Sequence, residues 1–288
     1  MSEILQALEA IRRAVDLGAS VQAFIVQNVQ VVVDALRAFI FRTANPAATG
    51  APFTSVGPVR SFTPLVQLAA DSALTAVITY AGFRMMWGRT TMRSQFVLRV
   101  LLPRVLLAAM LINFAVPLVQ AAIDTSNALS DSVTLATHQQ ILADVHEFTA
   151  GAALTGLQGV TLVVLFAAYA VLAFAYVIRF ALLVVLTILA PAAALLFVLP
   201  ETHRYAREWG TLFVGALLMQ PLQLLVLAVG FALDGYSALP VRHVFALAAV
   251  WITFKVPSAL RSASMAGSKA AGYTRRQVNH AVHAALKA

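Results

Sequence analysis

Four polar side chains stand inside apolar runs: Asp71, Arg179, Gln220 and Gln223. A carboxylate or guanidinium is costly in hydrocarbon, so such groups pair, reach water or mark a pathway. For Asp71, a basic partner in the bundle and a helix-end position serve equally. Gln220 and Gln223 flank Pro221 in "LLMQPLQLLVL". Amides there either hold neighbouring helices together or line a polar path. These four residues are the candidate pathway lining. No two carboxylates share a span, so paired general acid–base work has no material. No P-loop, GxGxxG or HExxH pattern occurs. His138 and His146 fall in a polar loop, and His280 and His283 one turn apart in the tail. Two histidines alone make a poor metal site. The chain has no Cys, which removes disulfides and thiolate ligands. The expectation is a protein that is not an enzyme and carries no cofactor.

A second set of residues is basic. Arg84, Arg89, Arg93, Arg99 and Arg104 follow one another with no acid between them. Arg204 and Arg207 lie in "ETHRYAREW", and Arg275 and Arg276 in a tail that holds no acid. Such clusters suit phosphates of nucleic acid, anionic lipid headgroups or an acidic partner. They are also the ordinary signal for cytoplasmic flanks of membrane helices.

The elements that must carry these residues are helices in a membrane. Of 288 residues, 60% are hydrophobic and 11% charged, with mean hydropathy +0.83. Soluble domains carry about 25% charged residues. The net charge of +8 then reads first as topology signal. About 20 apolar residues in a helix cross a bilayer core. Apolar blocks lie at about 65–87, 96–123, 157–178, 180–200, 210–233 and 243–260, the last weakened by Lys255 and Pro257. Residues 1–64 read as amphipathic N-terminal helices and a linker. Gln27, Gln30, Asp34 and Arg37 share one face, and Phe24, Ile25, Val29, Val32, Leu36 and Phe39 cover the other. The stretch 43–64 is rich in Pro, Gly, Ser and Thr. Residues 65–260 form the transmembrane bundle, and 261–288 a basic tail.

Charge then orients the chain. The arginine loop after the first span is expected to be cytoplasmic, and so is the tail. The loop 124–156 carries Asp124, Asp131, Asp144 and Glu147 without one Lys or Arg, so it is expected outside, with the N-terminus. Parity then requires an odd number of crossings after that loop. Five crossings result if the segment around Pro191 re-enters, and six if it spans. In the five-span reading Arg179 splits two apolar blocks near the cytoplasmic face, where its long stem reaches water.

The stretch "IRFALLVVLTILAPAAALLFVLPETHRYAREWGTLFVGALLMQPLQLLVLAVG" resembles the TrbL-type polytopic inner-membrane subunit of type IV secretion and conjugation machines, and is similar to archaeal DNA importers of the CedA kind. An apolar helix ending in "LAP", a break at "LPET", an Arg- and Trp-bearing turn and a "QPLQ" helix carry the resemblance over Tyr176–Gly230. The resemblance implies an all-α inner-membrane protein, a homo-oligomer at the base of a transfer machine. Its implied partners are secretion ATPases, a pilin and other subunits, with DNA or protein as cargo. Anionic lipids are a further expected partner. The competing expectation is a secondary transporter or channel for a small solute, which would place broken helices in two matching halves.

Overall fold

The computed structural model describes residues 41–87 except 49, 102–136, 157–197, 202–236 and 247–259, with part of 20–40. All regular structure among them is helical. The described residues of 20–40 are helical. A short 3-10 turn, Phe53–Ser55, follows. Then come α1 (Gly57–Trp87), α2 (Leu102–Asn113), α3 (Ala115–Ala136), α4 (Leu157–Ile188), α5 (Ala190–Leu196), α6 (His203–Tyr236) and α7 (Leu247–Ala259).

Three helices are long and apolar enough to cross a membrane: α1 over Gly57–Tyr80, α4 over Phe166–Ile188 and α6 over His203–Gly230. The α2 and α3 pair passes the same test together, bent by 66°. The shorter α7 is a fifth apolar helix. This agrees with a polytopic all-α bundle of about the expected span number.

Prolines set the breaks. A proline has no N–H, so the carbonyl four residues earlier loses its helical partner. Pro117 frees Asn113 in this way, where α2 turns into α3. The re-entrant-like bend therefore sits at Phe114. At Pro191 the chain also breaks. The α4 helix runs unbroken through Arg179 to Ile188, and the short α5 follows after Leu189. Arg179 thus does not divide two blocks, which corrects the sequence expectation. The preference of an apolar helix to continue outweighs one charge that finds partners. Trp209 repairs the break by donating its Nε1–H to the Leu186 carbonyl at 3.1 Å. Thr202 caps the Leu196 carbonyl at 2.8 Å.

Two boundaries also shift. The α1 helix begins at Gly57, with Pro58 in its first turn, where the lost donor costs nothing. The α3 helix continues past Asp124 and Asp131 to Ala136.

The N-terminal segment packs lengthwise on the bundle. Phe24 meets Phe166 edge-on at 6.5 Å, and Phe39 meets Phe180 at 5.2 Å. Both sequences rise together, so the segment runs parallel to α4. Leu36 and Ile40 are fully buried with Tyr169, Leu172, Tyr176 and Leu224. Gln27 and Asp34 are exposed, as the amphipathic pattern requires.

Candidate functional site

A polar junction lies inside the bundle, built from four separate pieces of chain. Arg179 projects from α4, Gln220 from α6, and Ser126 and Asn127 from α3. Thr43 comes from the non-helical stretch that follows the N-terminal segment. All five are buried, and Arg179 is 4% exposed. Arg179 and Ala216 fall near the middle of the spans Phe166–Ile188 and His203–Gly230.

Non-helical backbone at such depth needs protein partners for its N–H and C=O groups. Asn127 supplies both. Its Oδ1 accepts from the Thr43 N–H at 2.8 Å, and its Nδ2 donates to the Thr43 carbonyl at 3.0 Å. One level away, Gln120 Oε1 accepts from the Thr54 N–H at 3.1 Å and the Thr54 hydroxyl at 3.0 Å. The amides of α3 therefore hold the irregular strap 43–54 in place. Within the strap, Gly50 takes φ +78°, a left-handed turn that favours glycine.

Pro221 explains the next contact. It leaves the Leu217 carbonyl without its helical donor. The Ser126 hydroxyl donates to that carbonyl at 2.9 Å. The proline in α6 and the serine in α3 form one unit.

Arg179 completes the junction. Its Nε donates to the Ala216 carbonyl at 2.7 Å, and Nη2 to the Thr43 hydroxyl at 3.2 Å. Thr43 in turn donates to Gln220 Oε1. No carboxylate reaches ion-pair distance of Arg179 among the described residues. A central charge costs about 2.5–3.5 kcal/mol on insertion scales. Hydrogen bonds to a charged group each return about 1.5–3 kcal/mol. Two such bonds offset the cost, so the guanidinium is tolerated at mid-span. The Tyr176 hydroxyl and Gln220 Nε2 are buried beside these groups without a hydrogen-bond partner.

The other sequence candidates separate from this cluster. Gln223 lies one turn on and donates to the Thr253 carbonyl at 3.2 Å, which ties α6 to α7. Asp71 stands half-buried on α1, and no side-chain partner for it lies among the described residues. Arg104 is exposed on α2. Arg204 is exposed and ion-paired with Glu208 at 2.9 Å, while Arg207 is exposed nearby. Arg89, Arg93, Arg99, Arg275 and Arg276 lie outside the described residues, as does the side chain of Arg84. Sequence reasoning missed Thr43, Ser126 and Asn127. For the last two, the signal available was a Ser–Asn pair in the helix that follows Pro117.

The α1 span differs from the others. Only 17% of its window is buried, against 50% for α6. Arg60, Gln67, Asp71, Thr75 and Thr79 recur along it, first seven and then four residues apart, on one side of the helix. Thr75 and Thr79 satisfy their hydroxyls on the preceding turn, at 2.8 and 2.9 Å. Among the described residues, the Asp71 carboxylate has no such partner.

A bundle of helices long and apolar enough to cross a membrane, with a buried polar centre, defines a polytopic membrane protein. The chain belongs to the TrbL/VirB6 plasmid conjugal transfer-like family, whose model matches residues 3–287. No curated protein and no solved structure matches it. It is therefore a multi-pass membrane subunit of a conjugal transfer, type IV secretion-like system. That family comprises transfer-system subunits rather than a known class of enzymes.

Proposed function

We propose that this chain assembles in several copies around a translocation path for DNA, with the polar side of α1 facing the shared interior. The observation that carries this reading is the polar side of the largely uncovered α1 span in a transfer-family protein. An ionised Asp71 facing lipid would be costly. Neighbouring copies and water relieve that cost. The basic run Arg84, Arg89, Arg93, Arg99 and Arg104 follows α1 directly. As a cationic rim at the cytoplasmic mouth, it would attract phosphates. Energy comes from partner ATPases, and the pilin and other subunits complete the machine.

The bend at Phe114 and the break at Leu189 also suit a small-solute channel, which uses broken helices as binding sites. The cavity beside them is lined by apolar residues such as Leu118, Ala193 and Phe213, which offer a polar solute no ligand. The transfer reading is favoured on that ground.

Complementation of a gene deletion tests it. Arg89→Gln combined with Arg93→Gln is expected to insert and assemble normally and to lower DNA transfer. Normal transfer by that variant reduces the arginines to topology signals. A deletion that spares DNA transfer and abolishes uptake of a small solute overturns the reading altogether.

A further inference from the structure

The apolar cavity does not belong to the polar junction. It holds about 300 Å³ between the α2–α3 elbow, α5 and the first turns of α6. Small residues form much of its lining: Ala115, Ala193 and Gly210. Leu118 (51% exposed) and Phe197 (40% exposed) border it, so the cavity is open on that side.

A helix with its side chains is about 10–12 Å across. An alkyl chain is only about 4 Å across at van der Waals contact, and it fits.

The rim adds a charge. His203, Ala206, Arg207 and Gly210 share one side of α6, at three- and four-residue steps. Ala206 and Gly210 line the cavity. His203 and Arg207 are exposed beside these lining residues, Arg207 one turn before Gly210. Phe197, also in the lining, meets the His203 ring at 4.8 Å. Glu208 is engaged by Arg204, whereas no ion pair for Arg207 occurs among the described residues.

We propose that this groove is a binding site for one anionic phospholipid, with an acyl chain in the cavity and the headgroup phosphate at Arg207 and His203. The chain alone gains little by leaving other lipid tails, so selectivity rests on the headgroup. A basic residue near an anionic membrane surface is worth about five-fold in affinity. The site stands independently of the DNA-path reading.

Trp209 lines the cavity and reports on it directly. With Trp87→Phe and Trp251→Phe, it is the one fluorophore of its kind in the full-length protein. The protein is reconstituted in bilayers of phosphatidylcholine containing either brominated phosphatidylglycerol or brominated phosphatidylcholine. Bromine quenches tryptophan only at contact. Stronger quenching by the brominated phosphatidylglycerol is expected, with the preference reduced about five-fold by Arg207→Gln. Gly210→Leu is expected to lower quenching by both lipids. A Cβ there meets nothing within 4 Å, so the side chain starts into open space at the cavity wall. A parallel protein keeping only Trp251, which is 66% exposed, reports bulk bilayer contact and correct insertion. Equal quenching by the two lipids at Trp209, or a preference that survives Arg207→Gln, overturns the site. Trp209 unquenched by either lipid means that protein covers the groove, and the proposal fails. None of these outcomes depends on whether DNA is transferred.

Discussion

Arg179 and Thr43 are 136 positions apart, and the guanidinium Nη2 donates to the threonine hydroxyl at 3.2 Å. That contact fastens the N-terminal segment to the centre of the bundle. It also turns a charge that looks like a membrane boundary into part of an interior junction. Because Thr43 passes a hydrogen bond on to Gln220, three parts of the chain depend on one hydroxyl.

Thr43→Val keeps the shape and deletes the hydroxyl. Arg179 and Gln220 both lose a partner, so destabilisation of about 1.5–3 kcal/mol is expected. Thr43→Ser retains the hydroxyl and removes one methyl, at about 0.8 kcal/mol. The absence of native Cys gives a clean probe. A Cys at Leu36, fully buried against the core, should react faster with maleimide in the Val variant than in the Ser variant. Equal reactivity in both would deny the hydroxyl any structural part.

Ser126 and Pro221 are predicted to be coupled. With proline present, Ser126→Ala strands the Leu217 carbonyl and costs about 0.6 kcal/mol, the average for such bonds in a membrane protein. Pro221→Ala returns an N–H to that carbonyl. In that background Ser126→Ala should cost almost nothing. Unfolding of the four proteins of the cycle in mild detergent measures this, and an unchanged serine cost in both backgrounds rules out the coupling.

Much of the bundle was legible in the sequence, because apolar runs of sufficient length have few alternatives in a membrane. The amides at Gln220 and Gln223 were legible too, since polar groups interrupting an apolar helix need a reason. Arg179 was misread for a physical cause. A lone cation inside apolar residues looks like an interfacial residue unless its partners are known. Those partners are a backbone carbonyl 37 positions away and a hydroxyl 136 positions away. Periodicity carries no trace of either. Pro117 and Pro191 were both legible as hints of breaks, but the size of the 66° bend at Phe114 was not. There, Pro117 sits in the first turn of the following helix, a place where proline usually fits without a break.

Sidedness is predicted from charge. The loop after Ala136 and the basic tail should lie on opposite faces of the membrane. Single-Cys variants Ala136→Cys and Ala284→Cys, treated with an impermeant reagent on intact cells, should not both be labelled. Labelling of both from outside contradicts the orientation.

The central claim is that the polar side of α1 meets cargo inside an oligomer. A photo-crosslinking amino acid placed at Thr75, on that side, tests it most directly, with Leu118 beside the apolar groove as the comparison. During active transfer, the Thr75 protein should crosslink to the transferred DNA or to a second copy of the chain, and the Leu118 protein to lipid. Crosslinks at Thr75 to lipid alone, under conditions where DNA is being transferred, would contradict the account.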